Sequence, residues 1–315
     1  MSADGAAHAA AGRSGYLLLA AIVAFVFFWL DRNAPGDLPA AATADIARVG
    51  GLDDDSSAGF RADAWLLPDE ALLGFVEIPA GAFIMGSDPR RDPMAYANER
   101  WSAQSRQGNP HLPGFYIGRY EVTVAQFNRF AGSSGRVSRI AGEAAHPATG
   151  VTWPEALAYA RWLDGQMRLS PATPAALRQA LEAGWRISLP SEAQWEKAAR
   201  GVGGRIFPWG LDPAAGNANF GGGALRAVTG GDCPRCSHGL ADMAGNVWEM
   251  TSSPLRDYPF DSGGDAAATG ADALFVMRGG SHLDGANNVR AAVRGAVDPG
   301  ARSAVIGFRL AIAPP

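Results

Sequence analysis

The sequence predicts a mixed domain of a few capped helices, short strands and long ordered loops, set behind an apolar N-terminal segment. Three observations carry this. At 315 residues and 47% apolar content, the chain is long enough to bury a sizeable core. Its 40 Gly and 21 Pro, in a chain this apolar, imply ordered loops rather than regular layers, and such loops need ties such as ions or a disulfide. The helical signals are sharply punctuated, whereas the strand signals are short and bounded by turn residues.

Residues 1–15 read as an N-terminal arm. Tyr16 to Leu30 is an unbroken apolar run closed by Asp31-Arg32, between the length of a signal-peptide core and the roughly 20 residues of a membrane span. No small-x-small cleavage site follows closely, the first being Ala40 to Ala42, so the run reads as an uncleaved transmembrane signal anchor. Arg13 and the terminal amine precede it, while Asp31 and Arg32 cancel after it, which puts the N-terminus in the cytoplasm. The expectation is a single-pass protein of the inner (cytoplasmic) membrane with its domain in the periplasm or otherwise outside. Residues 31–72, rich in Ala, Pro, Gly and Asp, read as a flexible linker, and residues 73–315 as the domain.

Within the domain, Phe75 to Ile78 and Phe83 to Met85 read as a hairpin. Thr123-x-x-Gln126 and Ser191-x-x-Gln194 are capping boxes, stopped by Gly132 and Gly201. Thr152-x-x-Glu155, with Pro154 in the first turn, starts another helix that ends near Asp164-Gly165, and Pro174 to Ala183 also reads as helical. Phe275 to Arg278, Val289 to Val293 and Ile306 to Ile312 read as later strands.

The net charge is -4, and the basic residues, almost all Arg, are scattered rather than massed in a stripe, which argues against nucleic acid as a partner. The only cysteines are Cys233 and Cys236. Outside the cytoplasm such a pair most simply closes a disulfide across a tight loop, with a redox-active or metal-holding dithiol as the alternative.

The segment Gly239-Leu240-Ala241-Asp242-Met243-Ala244-Gly245-Asn246-Val247-Trp248-Glu249-Met250 interleaves two carboxylates with a Gly-Asn turn. Asp242 and Glu249 are seven positions apart, and the turn breaks any regular helix between them. A folded-back loop aims both acids and the intervening carbonyls at one point, as a hard cation such as Ca2+ requires; the plainer reading is a surface turn with solvated acids and a core Trp.

That segment is joined by Phe75-Val76-Glu77-Ile78-Pro79-Ala80-Gly81, Phe115-Tyr116-Ile117-Gly118-Arg119-Tyr120-Glu121-Val122-Thr123, Leu189-Pro190-Ser191-Glu192-Ala193-Gln194-Trp195-Glu196, Phe207-Pro208-Trp209-Gly210, Arg278-Gly279-Gly280-Ser281 and Gly307-Phe308-Arg309-Leu310. In that order, from about Gly74 to Ile312, the chain resembles the formylglycine-generating enzyme (sulfatase-modifying factor) family. The resemblance implies an α+β domain related to the C-type lectin architecture, with little regular secondary structure and bound calcium. It implies one Ca2+ site from Asp242, the carbonyls of Gly245 and Val247, and Glu249. A second site, from the Asn219 side chain and the Phe220 carbonyl, lacks the Asp-containing loop that completes it in the family.

In the family, formylglycine is made with copper held by two cysteines just after Arg-Gly-Gly-Ser. Here Asp284 stands at the first cysteine position and Asn288 or Val289 near the second. Soft Cu(I) needs sulfur ligands, so copper and the family's oxidation are not expected. What remains is a polar cluster, Ser281, His282, Asp284, Asn287, Asn288, Arg290 and Arg294, that either caps turns or lines a groove for a peptide or small ligand. His282 and Asp284 would be the only hard-metal pair there. The expected role is an accessory or binding module for maturing another exported protein, the alternative being a cysteine-independent, metal-dependent oxidoreductase of the family. Carbohydrate binding by the lectin-like fold has no diagnostic motif.

Overall fold

A computed structural model of the chain describes residues 58–213, 218–259 and 273–315. The expected cytoplasmic arm, the expected membrane anchor and most of the expected linker lie outside the described residues, among which no helix is long and apolar enough to cross a membrane.

Two four-stranded sheets and a two-stranded ribbon carry the domain. The first sheet has the order β1 (Phe75–Ile78), β4 (Phe115–Gly118), β10 (Ala311–Ala313), β5 (Arg186–Ser188), antiparallel throughout. The second has the order β8 (Gly295–Val297), β7 (Phe275–Arg278), β6 (Trp248–Pro254), β9 (Ile306–Gly307), with β6 and β9 parallel. The ribbon pairs β2 (Gly81–Ala82) with β3 (His111–Leu112).

Four α-helices accompany the sheets, and three start on reciprocal capping boxes. In α1 (Val124–Ser134) the Thr123 hydroxyl accepts from Gln126 N and Gln126 Oε1 accepts from Thr123 N at 2.9 Å, satisfying two donors that a helix start leaves open. α2 (Trp153–Leu169) and α4 (Glu192–Arg200) begin on Thr152 and Ser191 in the same way, while α3 (Ala175–Glu182) starts after Pro174 without a side-chain cap. Phe127, Phe130, Tyr159 and Phe308 meet edge-on or tilted in the main core, and Trp153 stacks on Phe275 at 3.8 Å.

Several expected boundaries move, each for a packing reason. α2 runs past Gly165 to Leu169, because buried Met167 holds the last turn in the core. α1 passes Gly132 and stops at Gly135, whose φ of 62° is the left-handed end position. The expected hairpin does not form: β1 pairs with β4, and Phe83 to Met85 is extended outside any named strand with one bridge from Met85 to Gly108. Val289 to Val293 is buried loop rather than strand; the strand begins at Gly295. The linker ends earlier than its composition suggests, since Phe60 bridges Pro68 and Ala64, Leu66 and Leu67 are buried. Gln126 Nε2 also donates to the Leu66 carbonyl at 2.8 Å. The average composition of residues 31–72 conceals these apolar side chains at its C-terminal end.

This boundary is testable. Leu67→Ala is expected to lower the unfolding free energy by about 2–5 kcal/mol, the usual range for a buried leucine. Urea denaturation unchanged from wild type would return residues 58–72 to the linker.

Candidate functional site

Gly239 to Met250 folds back as its turn residues require. Asp242, Gly245 and Asn246 take φ of 50°, 84° and 59°. A Cβ on Gly245 would lie 2.2 Å from the Asn219 carbonyl oxygen, so no other residue fits there. The reversal lets Asn246 N donate to Asn219 O at 2.8 Å and Gly245 N to Gly279 O at 2.9 Å. From Trp248 the chain enters β6, which carries Glu249 between β7 and β9.

The two acids of the segment are buried, not solvated, and each meets an arginine. Glu249 Oε2 accepts from Trp195 Nε1 at 2.8 Å and from Arg309 Nε at 2.5 Å, and its Oε1 accepts from Arg309 Nη2 at 2.6 Å. Asp242 Oδ1 accepts from Arg226 Nη2 at 2.7 Å, whereas its Oδ2 is buried without a partner. A third carboxylate completes the cluster: Glu121 Oε2 accepts from Asn246 Nδ2 at 2.8 Å, and its Oε1 is buried without a partner. Nothing in the spacing marked Glu121; only its place in Arg119-Tyr120-Glu121-Val122-Thr123 drew notice. Three carboxylates thus face two guanidiniums, one positive charge short of balance. Burial, reinforced by the charges of Asp242 and Glu249, drives the Glu121 carboxyl well above its ordinary value. Burial also pushes Asp242 up to about 6, against the pull of Arg226.

As a calcium set, the predicted ligands fit at one end. Asp242 Oδ2 is a buried oxygen without a hydrogen-bond partner. Glu249 does not fit, because both its oxygens already face guanidinium or indole donors. Among the described residues no group of three or more His, Cys, Asp or Glu side chains converges as a metal set. At the second expected site, Asn219 Nδ2 is tied to the Ala224 carbonyl at 2.8 Å and to Asn246 Oδ1 at 3.1 Å, and the Phe220 side chain packs with Phe207, Ala244 and Val289. The Asn219 backbone carbonyl is used by Asn246, so this pair braces the turn.

The polar cluster after Arg278-Gly279-Gly280 divides into two groups. Asp284 Oδ2 accepts from Ser281 Oγ at 2.6 Å, Ser281 N at 2.9 Å and Trp248 Nε1 at 2.9 Å, while Oδ1 accepts from Asn288 Nδ2 at 2.7 Å. Asn288 Oδ1 in turn accepts from Tyr96 Oη at 2.9 Å. His282 Nδ1 lies 2.9 Å from the Asn246 carbonyl, which makes Nδ1 the protonated nitrogen and leaves the lone pair on Nε2. His282 and Asp284 are therefore not a converging metal pair, since Asp284 has both oxygens committed. Asn287 is exposed. Arg290 and Arg294 do not line a surface groove: both are buried, Arg290 pairing with Asp92 and Glu99 at 2.7 Å each and Arg294 with Glu192 at 2.6 Å. Their ring neighbours are Tyr96 and Tyr258.

Reasoning from local pattern missed this internal ion-pair system. Arg278 contacts Glu196 and Glu192, and Arg200 pairs with Glu196 at 2.7 Å. Glu192 and Glu196 sit in the α4 motif and Arg278 in Arg-Gly-Gly-Ser, so those motifs marked some of the members but not their pairing, and nothing marked Asp92 and Glu99. Cys233 and Cys236 are joined in a disulfide, which takes up both sulfurs.

Residues 67–314 match the family described as the sulfatase-modifying factor enzyme 1-like domain. The chain is 30% identical over 288 residues to a hercynine oxygenase of Mycolicibacterium smegmatis, covering 75% of this chain and 60% of that protein. It is 34% identical over 198 residues to the formylglycine-generating enzyme of Streptomyces coelicolor, covering 56% of each. The fold matches the structure of PvdO from Pseudomonas aeruginosa with a TM-score of 0.59 at 24% identity, covering 76% of this chain and 94% of that one. The hercynine oxygenases of M. smegmatis and Mycolicibacterium thermoresistibile are matched over only 60% and 56% of their length.

The charge shortfall has a pH signature. A carboxyl whose folded pKa lies above its unfolded one, about 4.3 for Glu, holds its proton more tightly in the fold. Its contribution is complete below the unfolded value and is lost as pH rises toward the folded one. Glu121→Gln is therefore expected to match wild type at pH 4 and to exceed its Tm at pH 8, measured by calorimetry with chelator present. A variant less stable at both pH values would show that the ionised carboxylate is what the cluster needs.

Proposed function

Because the chain belongs to the sulfatase-modifying factor family, we propose that its domain is a rigid recognition scaffold without copper-dependent formylglycine chemistry, serving as an accessory or binding module in the maturation of another exported protein. The observation that carries this is the state of position 284. Where the family resemblance puts a copper thiolate, this chain has a carboxylate held by Trp248, Ser281 and Asn288, and both of its cysteines are joined to each other. A carboxylate so engaged is a poor ligand for soft Cu(I). The membrane anchor at residues 16–30 and the extracytoplasmic address read from the sequence belong to the same proposal.

A second reading, a metal-dependent oxidoreductase independent of cysteine, draws support from the identity to hercynine oxygenases. The free Nε2 of His282 favours it; the commitment of Asp284 counts against it. The full chain incubated with a sulfatase-type cysteine peptide, with and without copper, is expected to leave the peptide mass unchanged. Loss of the thiol with gain of an aldehyde, dependent on this protein, would overturn the first reading, and oxygen uptake with hercynine would establish the second.

Calcium at Asp242 is part of the scaffold reading, supported by the orphaned Oδ2 and by the missing positive charge. If the ion binds only the native state, Ca2+ at 100 times its Kd is expected to add about 2.7 kcal/mol. Asp242→Asn should remove that gain. Glu249 is the wrong residue for this test, since its loss strands buried Arg309 at a cost of about 3–5 kcal/mol whether or not calcium binds. Identical melting in chelator and in excess Ca2+ would eliminate the ion.

A further inference from the structure

The chain's only lysine, Lys197, lies on α4 at 2% exposure and lines a cleft of about 360 Å³. Its Nζ donates to the carbonyls of Pro79 at 2.6 Å and Gly81 at 2.9 Å. An ammonium has three N–H donors, so one remains. No carboxylate among the described residues pairs with it, and the cleft lining contains no Asp or Glu. Two further cationic or protonatable groups line the same space, Arg205 and His238. Arg205 uses Nη1 on the carbonyls of Pro208 and Arg235, both neutral. Arg200 also lines the cleft but is committed to Glu196 and to loop carbonyls.

A buried cation without a counter-ion is costly. Burial lowers the Lys197 pKa. Burial, then the charges of Lys197 and Arg205, lower that of His238. Apart from Ser237 and two glycines, the rest of the lining is apolar: Ile78, Pro79, Ala80 and, at the lip, Val202, which is 65% exposed. The volume lies toward the small end of small-molecule sites, roughly 300–1,000 Å³.

We propose that this cleft binds a small organic monocarboxylate, its carboxylate set against Lys197, Arg205 and His238 and its hydrocarbon stem against Val202, Ile78 and Pro79. This is independent of the role proposed above, since none of these residues belongs to the Asp242 cluster or to the loop from Ser281 to Asn288. An inorganic anion would satisfy the charges but leave the apolar walls wet; a neutral apolar molecule would do the reverse.

The probe is hexanoate, titrated into the full chain by calorimetry, with hexanol and inorganic phosphate as the two partial mimics. Saturable one-site binding of hexanoate is expected, with each mimic weaker by about tenfold or more, the loss of one charge-assisted contact set. Arg205→Gln should weaken hexanoate by a similar factor. Because Lys197→Met strips two buried carbonyls and risks misfolding, the second variant is Val202→Glu at the exposed lip. It should keep the wild-type melt and weaken hexanoate, while hexanoate slows amine acylation of Lys197 in the wild type. Absence of saturation, phosphate or hexanol binding as well as hexanoate, or hexanoate binding indifferent to both variants would each overturn the proposal.

Discussion

The pairing of Arg309 with Glu249 is the interaction on which the remaining structure depends. Glu249 lies in β6, at the centre of the second sheet, and Arg309 lies between β9 and β10, where the chain leaves that sheet for the first. The same guanidinium donates to the carbonyls of Gly118 and Arg119, at the end of β4, and of Ala241, beside Asp242. One side chain thus joins both sheets and the folded-back loop. Both partners are fully buried, so removing either strands an uncompensated charge.

The device is repeated. Arg278 donates to the Ala292 and Val293 carbonyls as well as to Glu196; Arg294 to Asn98 and Arg256 as well as to Glu192; Arg200 to Gly86, Gly204 and Arg205 as well as to Glu196. In a domain with so little regular structure, loop carbonyls have few ladder partners, and each buried carbonyl needs a donor. A guanidinium supplies five donors in a fixed fork and stays charged, so it caps several carbonyls while pairing with one carboxylate. This accounts for arginine at each of the buried positions 200, 278, 290, 294 and 309. Lys197, the exception, touches two carbonyls but no acid, and that is why it stands out as a ligand-facing group.

The same logic separates scaffold from chemistry. Glu249, Arg290 and Arg294 are spent on holding loops together. Asp284, Asn288 and Tyr96 sit nearer the surface in a connected set of hydrogen bonds, with His282 tied separately to the Asn246 carbonyl, and Asp284 stands where the family resemblance implies a cysteine. A carboxylate there closes the local network of Trp248, Ser281 and Asn288.

What the residues determined alone was local: the capping boxes placed the starts of α1, α2 and α4, the Gly-Asn turn determined that Gly239 to Met250 folds back, and the ordered motifs identified the family. These are readable because a cap, a positive φ or a motif is a property of a few adjacent residues. The tertiary structure decided what those residues face. Spacing showed Asp242 and Glu249 on one loop, but only the fold brought Arg226, Arg309 and Glu121 to them, turning an open pair of ligands into a buried cluster short of one charge. Likewise Arg290 and Arg294 read as either turn caps or groove residues until packing buried them against acids about a hundred or two hundred positions away. Pairings at that separation are set by how sheets and loops stack, and no local pattern in the chain encodes them.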